Sequence, residues 1–519
     1  MIKTIELKLF PDQIGDKEFL WKRAASNAKV ALEDVSDVVI DRRSIDARGS
    51  RPVFRLRCLV YINEFPVNRI SPLEGFEDVS NAKEVYIIGA GPAGYFAALR
   101  CIKEHLRPIV IDRGKDVRAR RRDLRAIQQE GIVNPHSNYC FGEGGAGTYS
   151  DGKLYTRSKK RGKIIGVLEM LVAHGAQEDI LLDAHPHIGS NKLPNIVSKI
   201  RETIEQYGGV VRFDSHVTDI GIENNRVQSL TINEKEEIKT NNILLATGHS
   251  ARDIYTLLHH KEVYMEPKPF AIGVRIEHPQ SLIDKIQYNQ ENREDNLPAS
   301  SYKVVSQVDG CGVFSFCMCP GGLIVPAATA PGEIVVNGMS LSRRDSPFAN
   351  SGFVTSVSVE ELAEHGYKGL FATMDFQQSV EQKMFSNGDG SQKAPAQRVG
   401  DFVDGKLSTT LNDTSYIPGV YSASMSELLP GFVGNRLKKG IVEIGSKMKG
   451  YHSNDANIIG VESRTSSPIT IPRDRETYMH THVSGLFPCG EGAGYAGGIL
   501  SACMDGQNVA SAIARWIEK

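Results

Sequence analysis

The sequence predicts a mixed α/β chain. A small α+β unit comes first, then strands and helices alternating around a buried parallel sheet, then a mixed α+β stretch before a last helix. Three observations carry this. Residues 85–111 run as buried strand, glycine loop, apolar helix and second buried strand. Residues 209–247 hold four short β-rich runs, separated by Asn224-Asn225 and by the turn-like residues 233–236. Near the end, residues 485–498 form a second strand and glycine loop that open the final helix.

Composition excludes several other classes. With 519 residues, 40% hydrophobic and 24% charged, the chain has ample apolar material for a large core and is neither disordered nor collagenous. At roughly 150 residues per domain, three or four domains are expected. The 61 basic and 62 acidic residues give a net charge of −1, and a chain that grips nucleic acid or an anionic membrane over its whole surface would be basic. No signal-type apolar segment and no 18-residue apolar run occur, so a cytoplasmic protein with no membrane partner is expected. Its eight cysteines then read as reduced thiols. The oligomeric state is left open.

Taken in order, residues 4–10 alternate as a strand, 16–30 read as a helix, and 35–40 and 53–62 as strands. The Arg42–Arg48 stretch reads as a solvated strand connection and 71–75 as a linker, so the first unit is 1–82. The strand–helix pattern fills 83–264, and of its β-rich runs 209–213, 217–222, 227–232 and 242–247 read as a meander. Residues 265–469 are mixed, and 470–519 end in a helix over 497–517.

The strongest motif is Gly89-Ala-Gly91-Pro92-Ala93-Gly94, with Asp112 closing the next strand 18 residues after Gly94. Gly89 allows the tight turn, Gly91 lets a pyrophosphate reach the backbone, and Gly94 lets helix pack on strand. The helix N-terminus offers free N–H groups and positive dipole to phosphate. In a chain with 49 glycines a bare Gly-x-Gly-x-x-Gly arises by chance about 0.4 times, and this chain has three, starting at Gly89, Gly142 and Gly492. Only the first has strand, helix, second strand and terminal acid in order. An acid at the ribose favours FAD or NAD over NADP.

Two further segments point to FAD: the strand ending Ala246-Thr247-Gly248, and Cys489-Gly490-Glu491-Gly492 leading through Gly497 and Gly498 into the last helix. Here the chain resembles flavoproteins with two dinucleotide-binding domains, of the glutathione-reductase structural type. The resemblance implies a Rossmann-like FAD-binding domain with a β-meander. The domain is interrupted by a mixed α+β substrate domain at 265–469 and completed by 470–519. It also implies roles. Gly89, Gly91, Pro92, Ala93 and Gly94 would hold the pyrophosphate, Asp112 and Arg113 the adenosine ribose, and Val217 the adenine through its backbone. Ala246, Thr247 and Gly248 would pass beside the cofactor. Gly490 and Glu491 would meet the ribityl chain, and Gly497, Gly498 and Ile499 the N1/O2 edge of the flavin, whose negative charge on reduction a helix N-terminus stabilises. The family more often has Asp at the position of Glu491. The glycine-rich loop 141–154, with Gly144, Gly145, Ala146, Gly147 and Ser150, suits backbone packed against a flat ring. Several strings, among them Phe316-Cys317-Met318-Cys319-Pro320-Gly321 and residues 268–278, are similar to bacterial FAD-dependent dehydrogenases, also described as NAD(P)/FAD-dependent oxidoreductases, over nearly the whole chain.

The resemblance implies hydride transfer between a small organic substrate and flavin N5. No second complete fingerprint supports a separate NAD(P)H domain, so a nicotinamide would be a transient donor. For acid–base or thiol chemistry the candidates are His136, His249, Cys317 and Cys319, none singled out by the sequence as catalytic. Cys317 and Cys319 read either as pocket lining or as a redox dithiol, and a Cys-x-Cys disulfide forms only with strain. No neighbouring pair completes a zinc site, so no metal is expected. His185 and His187 read as part of an ordered loop. Arg275 and Glu277 face substrate or pair with each other, and Arg398 and Arg464 are candidate anion clamps. Residues 113–125 carry seven basic and two acidic side chains, and 153–163 six more basic ones. That leaves two alternatives: an FAD-bearing tRNA-modifying protein using 113–163, with Arg120, Arg121 and Arg122 as its contacts, and a non-catalytic docking or sensing module acting through 1–82. Charge runs are more often solvated helix faces, and aromatic interleaving is poor, so nucleic acid is not the expected partner.

Overall fold

The computed structural model describes residues 1–67, 70–155 and 164–518. The first unit comprises β1 (Ile2–Leu9), α1 (Lys17–Ala28), β2 (Val35–Asp46) and β3 (Val53–Ile62). The strands form an antiparallel sheet in the order β1-β3-β2. Alternation along β3 puts Phe54, Leu56, Cys58, Val60 and Ile62 into one core with Leu20, Ala24 and Ala25 of α1. Asp16 caps α1, accepting from the Phe19 N–H at 2.9 Å. The Arg42–Arg48 stretch departs from the expected connection. As far as Asp46 it continues β2, paired with β3. Arg43 also crosses to the next domain, with Nε 2.7 Å from Asp183 and Nη2 3.1 Å from Asp179.

The second domain holds β4 (Glu84–Ile88), α2 (Pro92–Lys103), β5 (Arg107–Ile111), α3 (Val117–Gln129), α4 (Ile164–Ala173), α5 (Leu193–Gln206), β6 (Val210–Arg212), β7 (Val217–Glu223), β8 (Arg226–Ile232), β9 (Glu236–Lys239), β10 (Ile243–Leu245) and α6 (Arg252–His260). Val85 and Ile87 of β4 face one apolar core while Tyr86 and Ile88 face another. Burial on both faces explains the unbroken apolar run of a parallel strand. The meander is β7-β8-β9, which corrects the expectation three times. Ile243–Leu245 (β10) pairs in parallel with β4 and is no part of it. Residues 210–212 pair in parallel with β5 instead, because the preceding helix α5 supplies the crossover that parallel pairing needs. The third meander strand, Glu-Glu-Ile-Lys, is polar and mostly exposed, so no apolar alternation announced it.

The inserted domain runs through β11 (Glu266–Pro267), β12 (Phe270–Pro279), α7 (Gln280–Tyr288), β13 (Val305–Val308), β14 (Cys311–Cys319), β15 (Gly322–Pro326), β16 (Val336–Ser340), β17 (Phe348–Val357), α8 (Val359–Glu364), α9 (Ala372–Ser386), β18 (Ala394–Arg398), α10 (Val399–Asp404), β19 (Val420–Ser422), α11 (Met425–Leu428), α12 (Gly431–Lys447), β20 (Asn457–Glu462) and β21 (Ile469–Thr470). Its main sheet has the order β13-β14-β17-β12-β20-β18-β19. Buried charges join it to the second domain. Arg252 of α6 reaches Glu333 and Glu381, both at 2.9 Å, and Arg464 lies 3.0 Å and 2.8 Å from the same two carboxylates. Arg464 is therefore spent inside the protein and is not an anion clamp. Likewise Arg275 pairs with Glu462, and Glu277 accepts from Ser415.

The chain then returns. β22 (Leu486–Pro488) pairs in parallel with β10, giving the sheet β22-β10-β4-β5-β6. The last helix, α13 (Ile499–Ile517), lies on α2 so closely that a Cβ at Gly506 would come within 2.0 Å of the Ala93 carbonyl oxygen. Among the described residues no helix is long and apolar enough to cross a membrane.

Candidate functional site

The first glycine loop is shaped by two kinds of contact. Gly89 has φ 107°, and a Cβ there would lie 2.4 Å from the Ala246 carbonyl oxygen; one at Gly94 would lie 1.9 Å from that of Gly89. Both positions need glycine for packing alone. Gly91, the N-cap of α2, differs: the nearest atom to its missing Cβ is Gly145 Cα at 3.9 Å. Pro92 fills the first turn and Ala93 packs beneath Gly490, 3.0 Å from the Cβ position there.

The loop from Gly142 closes on this one. The Gly144 N–H donates to Ala90 O at 2.8 Å. A Cβ on Gly145 would be 3.2 Å from Gly91 Cα, and one on Gly147 3.2 Å from Pro92 and 3.3 Å from Ile499. The N-termini of α2 and α13 and the turn through Gly144, Gly145, Ala146 and Gly147 thus meet at one place. Gly248, Gly497 and Gly498 border open space, since a Cβ on any of them would touch nothing within 4 Å. Backbone bare of side chains, two helix N-termini and open cradles fit a dinucleotide whose diphosphate and flat ring both need close backbone approach.

Several side chains hold the loops, and sequence reasoning missed them. Arg120 is fully buried and donates to the carbonyls of Asn138 (2.8 Å), Glu143 (2.8 Å), Gly145 (3.0 Å) and Gly142 (3.3 Å). It shares the inner face of α3 with Val117, Leu124 and Ile127, a helical spacing that the sequence displays. Arg120 is therefore no surface contact for RNA. Arg113 and Lys115 pair with Asp253 and Asp123, and of the other basic run residues 156–163 lie outside the described residues. Buried Glu143 accepts from Tyr95 (3.0 Å), Arg201 (2.9 Å) and the Val117 N–H (2.8 Å). Asp505 accepts from the Gly490 N–H at 2.8 Å and pairs with Arg473 at 2.6 Å.

Among the expected contacts, Asp112 ends β5 at the loop, but its carboxylate already accepts from the N–H groups of Ala90 and Gly114, each at 2.8 Å. Its first task is to hold the loop. The Ser150 hydroxyl is committed within its own turn, to Gly147 O and from the Gly152 N–H. Arg113 stacks on Phe141 at 4.5 Å. Val217 is buried, and its neighbours His216 and Thr218 line a cleft of about 370 Å³ with Arg113, Lys115, Asn134 and His136.

The four chemical candidates fall in three places. His136 lies in that cleft, its ring 5.0 Å from His216, and burial lowers its pKa. His249 follows Gly248, with Nδ1 3.5 Å from Glu491 and a buried Nε2 that has no hydrogen-bond partner among the described residues. Lys268 shares this neighbourhood; burial lowers its pKa against the pull of Glu491. Cys317 and Cys319 face Lys153, and all eight cysteines are free thiols.

Comparison with known proteins agrees with this geometry. Residues 83–264 match the family described as pyridine nucleotide-disulphide oxidoreductase, 269–465 the FAD-dependent protein, C-terminal domain-like family, and 1–61 a domain of unknown function. A Clostridium beijerinckii protein, itself uncharacterised, is 39% identical over 519 residues, covering 96% of each chain. Solved structures are far more distant. The halogenase PltM in complex with FAD is 10% identical at TM-score 0.39, covering 84% of this chain and 69% of that one. The flavin-dependent brominase Bmp2 is 13% identical at TM-score 0.35, covering 84% and 80%. Likenesses this remote assign no reaction. With its glycine loops, its interrupted sheet and a relative matched from end to end, the chain belongs to the FAD-dependent flavoprotein family that joins these domains.

Proposed function

We propose that the chain is an oxidoreductase that passes a hydride between a small organic substrate and its FAD, with NADH or NADPH as a transient donor. The observation that carries this is the meeting of three glycine loops at the N-termini of α2 and α13. Bound FAD supplies the hydride-carrying ring. Gly89, Gly91, Pro92, Ala93 and Gly94 would hold the diphosphate, with Gly144, Gly145, Ala146 and Gly147 against it. The cleft beside Arg113 and Val217 would take the adenosine end. Gly490 and Glu491 would meet the ribityl chain, and Ala246, Thr247 and Gly248 would pass alongside. Gly497, Gly498 and Ile499 would place the positive end of α13 at the flavin, favouring its reduced, negatively charged form. His249, whose Nδ1 faces Glu491, keeps Nε2 free to hold or deliver a proton.

The test is anaerobic mixing of the purified protein with NADH, NADPH and dithionite while flavin absorbance is followed. Bleaching by a nicotinamide as well as by dithionite is expected. Bleaching by dithionite alone would remove nicotinamide as donor, and a protein with no flavin band would remove the reading itself.

A further inference from the structure

A second reactive centre lies in the inserted domain. β14 slips register against β17 between Phe316 and Cys319, and at the slip Cys317 takes φ 45°. The slip brings both sulfurs to one cation: Lys153 Nζ is 3.7 Å from Cys317 Sγ and 3.8 Å from Cys319 Sγ. Lys153 is held by Asp151 at 3.0 Å, and Asp151 by Arg344 at 2.5 Å. Behind Cys317, fully buried Arg275 donates to the Cys317 carbonyl at 3.0 Å and 3.2 Å.

The surroundings hold polar capacity that the described residues do not use. Both amide atoms of fully buried Asn350 lack hydrogen-bond partners among them, and Arg275 Nε and Glu462 Oε2 have only each other, as an ion pair at 3.3 Å. Asn350 is the register partner of Cys319, and a Cβ on Gly338 would sit 2.5 Å from both its Oδ1 and Arg275 Nη2. Buried polar atoms left unpaired are uncommon in a finished core and point to a bound polar group.

The charges agree with the geometry. Hydrogen bonding by the Cys319 thiol, which also donates to the Cys317 carbonyl at 3.3 Å, together with the positive charges of Lys153 and Arg275, holds Cys317 well below the usual thiol range against the effect of burial. Cys319 is pushed up and keeps its proton. Burial opposes the Lys153 ammonium, but the two sulfurs and Asp151 outweigh it.

We propose that Cys317 is a nucleophilic thiolate that attacks small disulfides, with Lys153 as its counter-ion. Cys317 Sγ forms a bond to one sulfur of the disulfide. The old S–S bond breaks, and its electron pair leaves on the other sulfur, which takes a proton from water. The protein is left with a mixed disulfide at Cys317. The step uses no flavin, so its success or failure is separate from that of the oxidoreductase reading. Cys311, on the same strand and also half-buried, is the internal control.

The experiment treats the full-length protein with bis(2-hydroxyethyl) disulfide, and separately with iodoacetamide, across pH, and reads each cysteine by peptide mass spectrometry. Near about pH 6, Cys317, with the Lys153 ammonium against its sulfur, is expected to react at least about tenfold faster than Cys311. Lys153→Met should slow Cys317 about tenfold at that pH and move its profile upward, and Lys153→Arg should restore it. If Cys317 reacts no faster than Cys311, or a folded Lys153→Met keeps the wild-type profile, the proposal is overturned. Should Lys153→Met fail to fold, the wild-type comparison of Cys317 with Cys311 decides.

Discussion

Replacing Arg120 by Met should cost the protein its cofactor loop while leaving its surface unchanged. The guanidinium donates to carbonyls of Asn138, Glu143 and Gly145 at 2.8 to 3.0 Å, with Gly142 at 3.3 Å. Met fills similar volume but offers no donor. Three short bonds from a charged group are lost, and each stranded carbonyl costs about 1–3 kcal/mol where water cannot reach it. Part of this is returned, because a fully buried guanidinium is itself expensive to desolvate. The net loss should be about 3 kcal/mol, or about 5–10 °C in the unfolding of a domain of this size. The assay is FAD content per chain together with thermal unfolding followed by flavin fluorescence, beside Arg121→Met and Arg122→Met. Arg120→Met should lose FAD and melt early, and the two controls should do neither. An Arg120→Met protein with full FAD and unchanged melting would refute the reasoning. If all three variants instead weakened tRNA binding alike, the surface-patch reading of α3 would return.

Other perturbations separate packing from ligand contact. Gly94→Ala drives a methyl into the Gly89 carbonyl and should destabilise the protein even without FAD, whereas Gly497→Ala meets only open space and should melt normally when FAD-free but bind FAD more weakly; equal effects in calorimetry and FAD titration would contradict this. Asp505→Asn breaks a buried pair with Arg473 and, at about 3–5 kcal/mol for such a break, should lower the urea midpoint and loosen the Gly490 turn; an unchanged midpoint counts against that role. Burial holds the His278 imidazole at about 4, below the about 6.5 of an unfolded chain. Its contribution is therefore complete above pH of about 6.5 and is lost as pH falls toward about 4, by up to about 3 kcal/mol. His278→Phe should lack this fall, and parallel urea-midpoint profiles for variant and wild type would contradict it.

The parts of the fold legible in the sequence are those whose signal is local. The unbroken apolar runs of β4 and β5, the glycines between β4 and α2, and the alternation of β3 are all readable in a window of a dozen residues. What was not legible depended on distant partners. The three residues of β6 became a parallel strand because α5 carries them to β5. Arg42 to Asp46 became strand because they pair with Val53 to Arg57 of β3, and Arg43 there also reaches Asp179 and Asp183 on another domain. At the candidate site the glycines could be named from sequence, but the reason for each could not. Gly89 and Gly94 answer to backbone atoms of the protein itself, while Gly91, Gly497 and Gly498 leave room for a ligand. Basic residues misled most. Arg120 read as one of a solvated run and proved to be the buried clasp of the loop, although its spacing with Val117, Leu124 and Ile127 was there to be read.

The central claim is that FAD sits between the N-termini of α2 and α13 against the Gly142–Gly147 loop. It is tested most directly by the flavin content of the purified protein and its Gly91→Trp variant, read from the visible absorbance spectrum. The account predicts a yellow wild type with about one FAD per chain and a folded, colourless variant that takes up none, because the indole would occupy the diphosphate position. A wild type that is colourless and binds no added FAD, or a Gly91→Trp protein as yellow as the wild type, would contradict it.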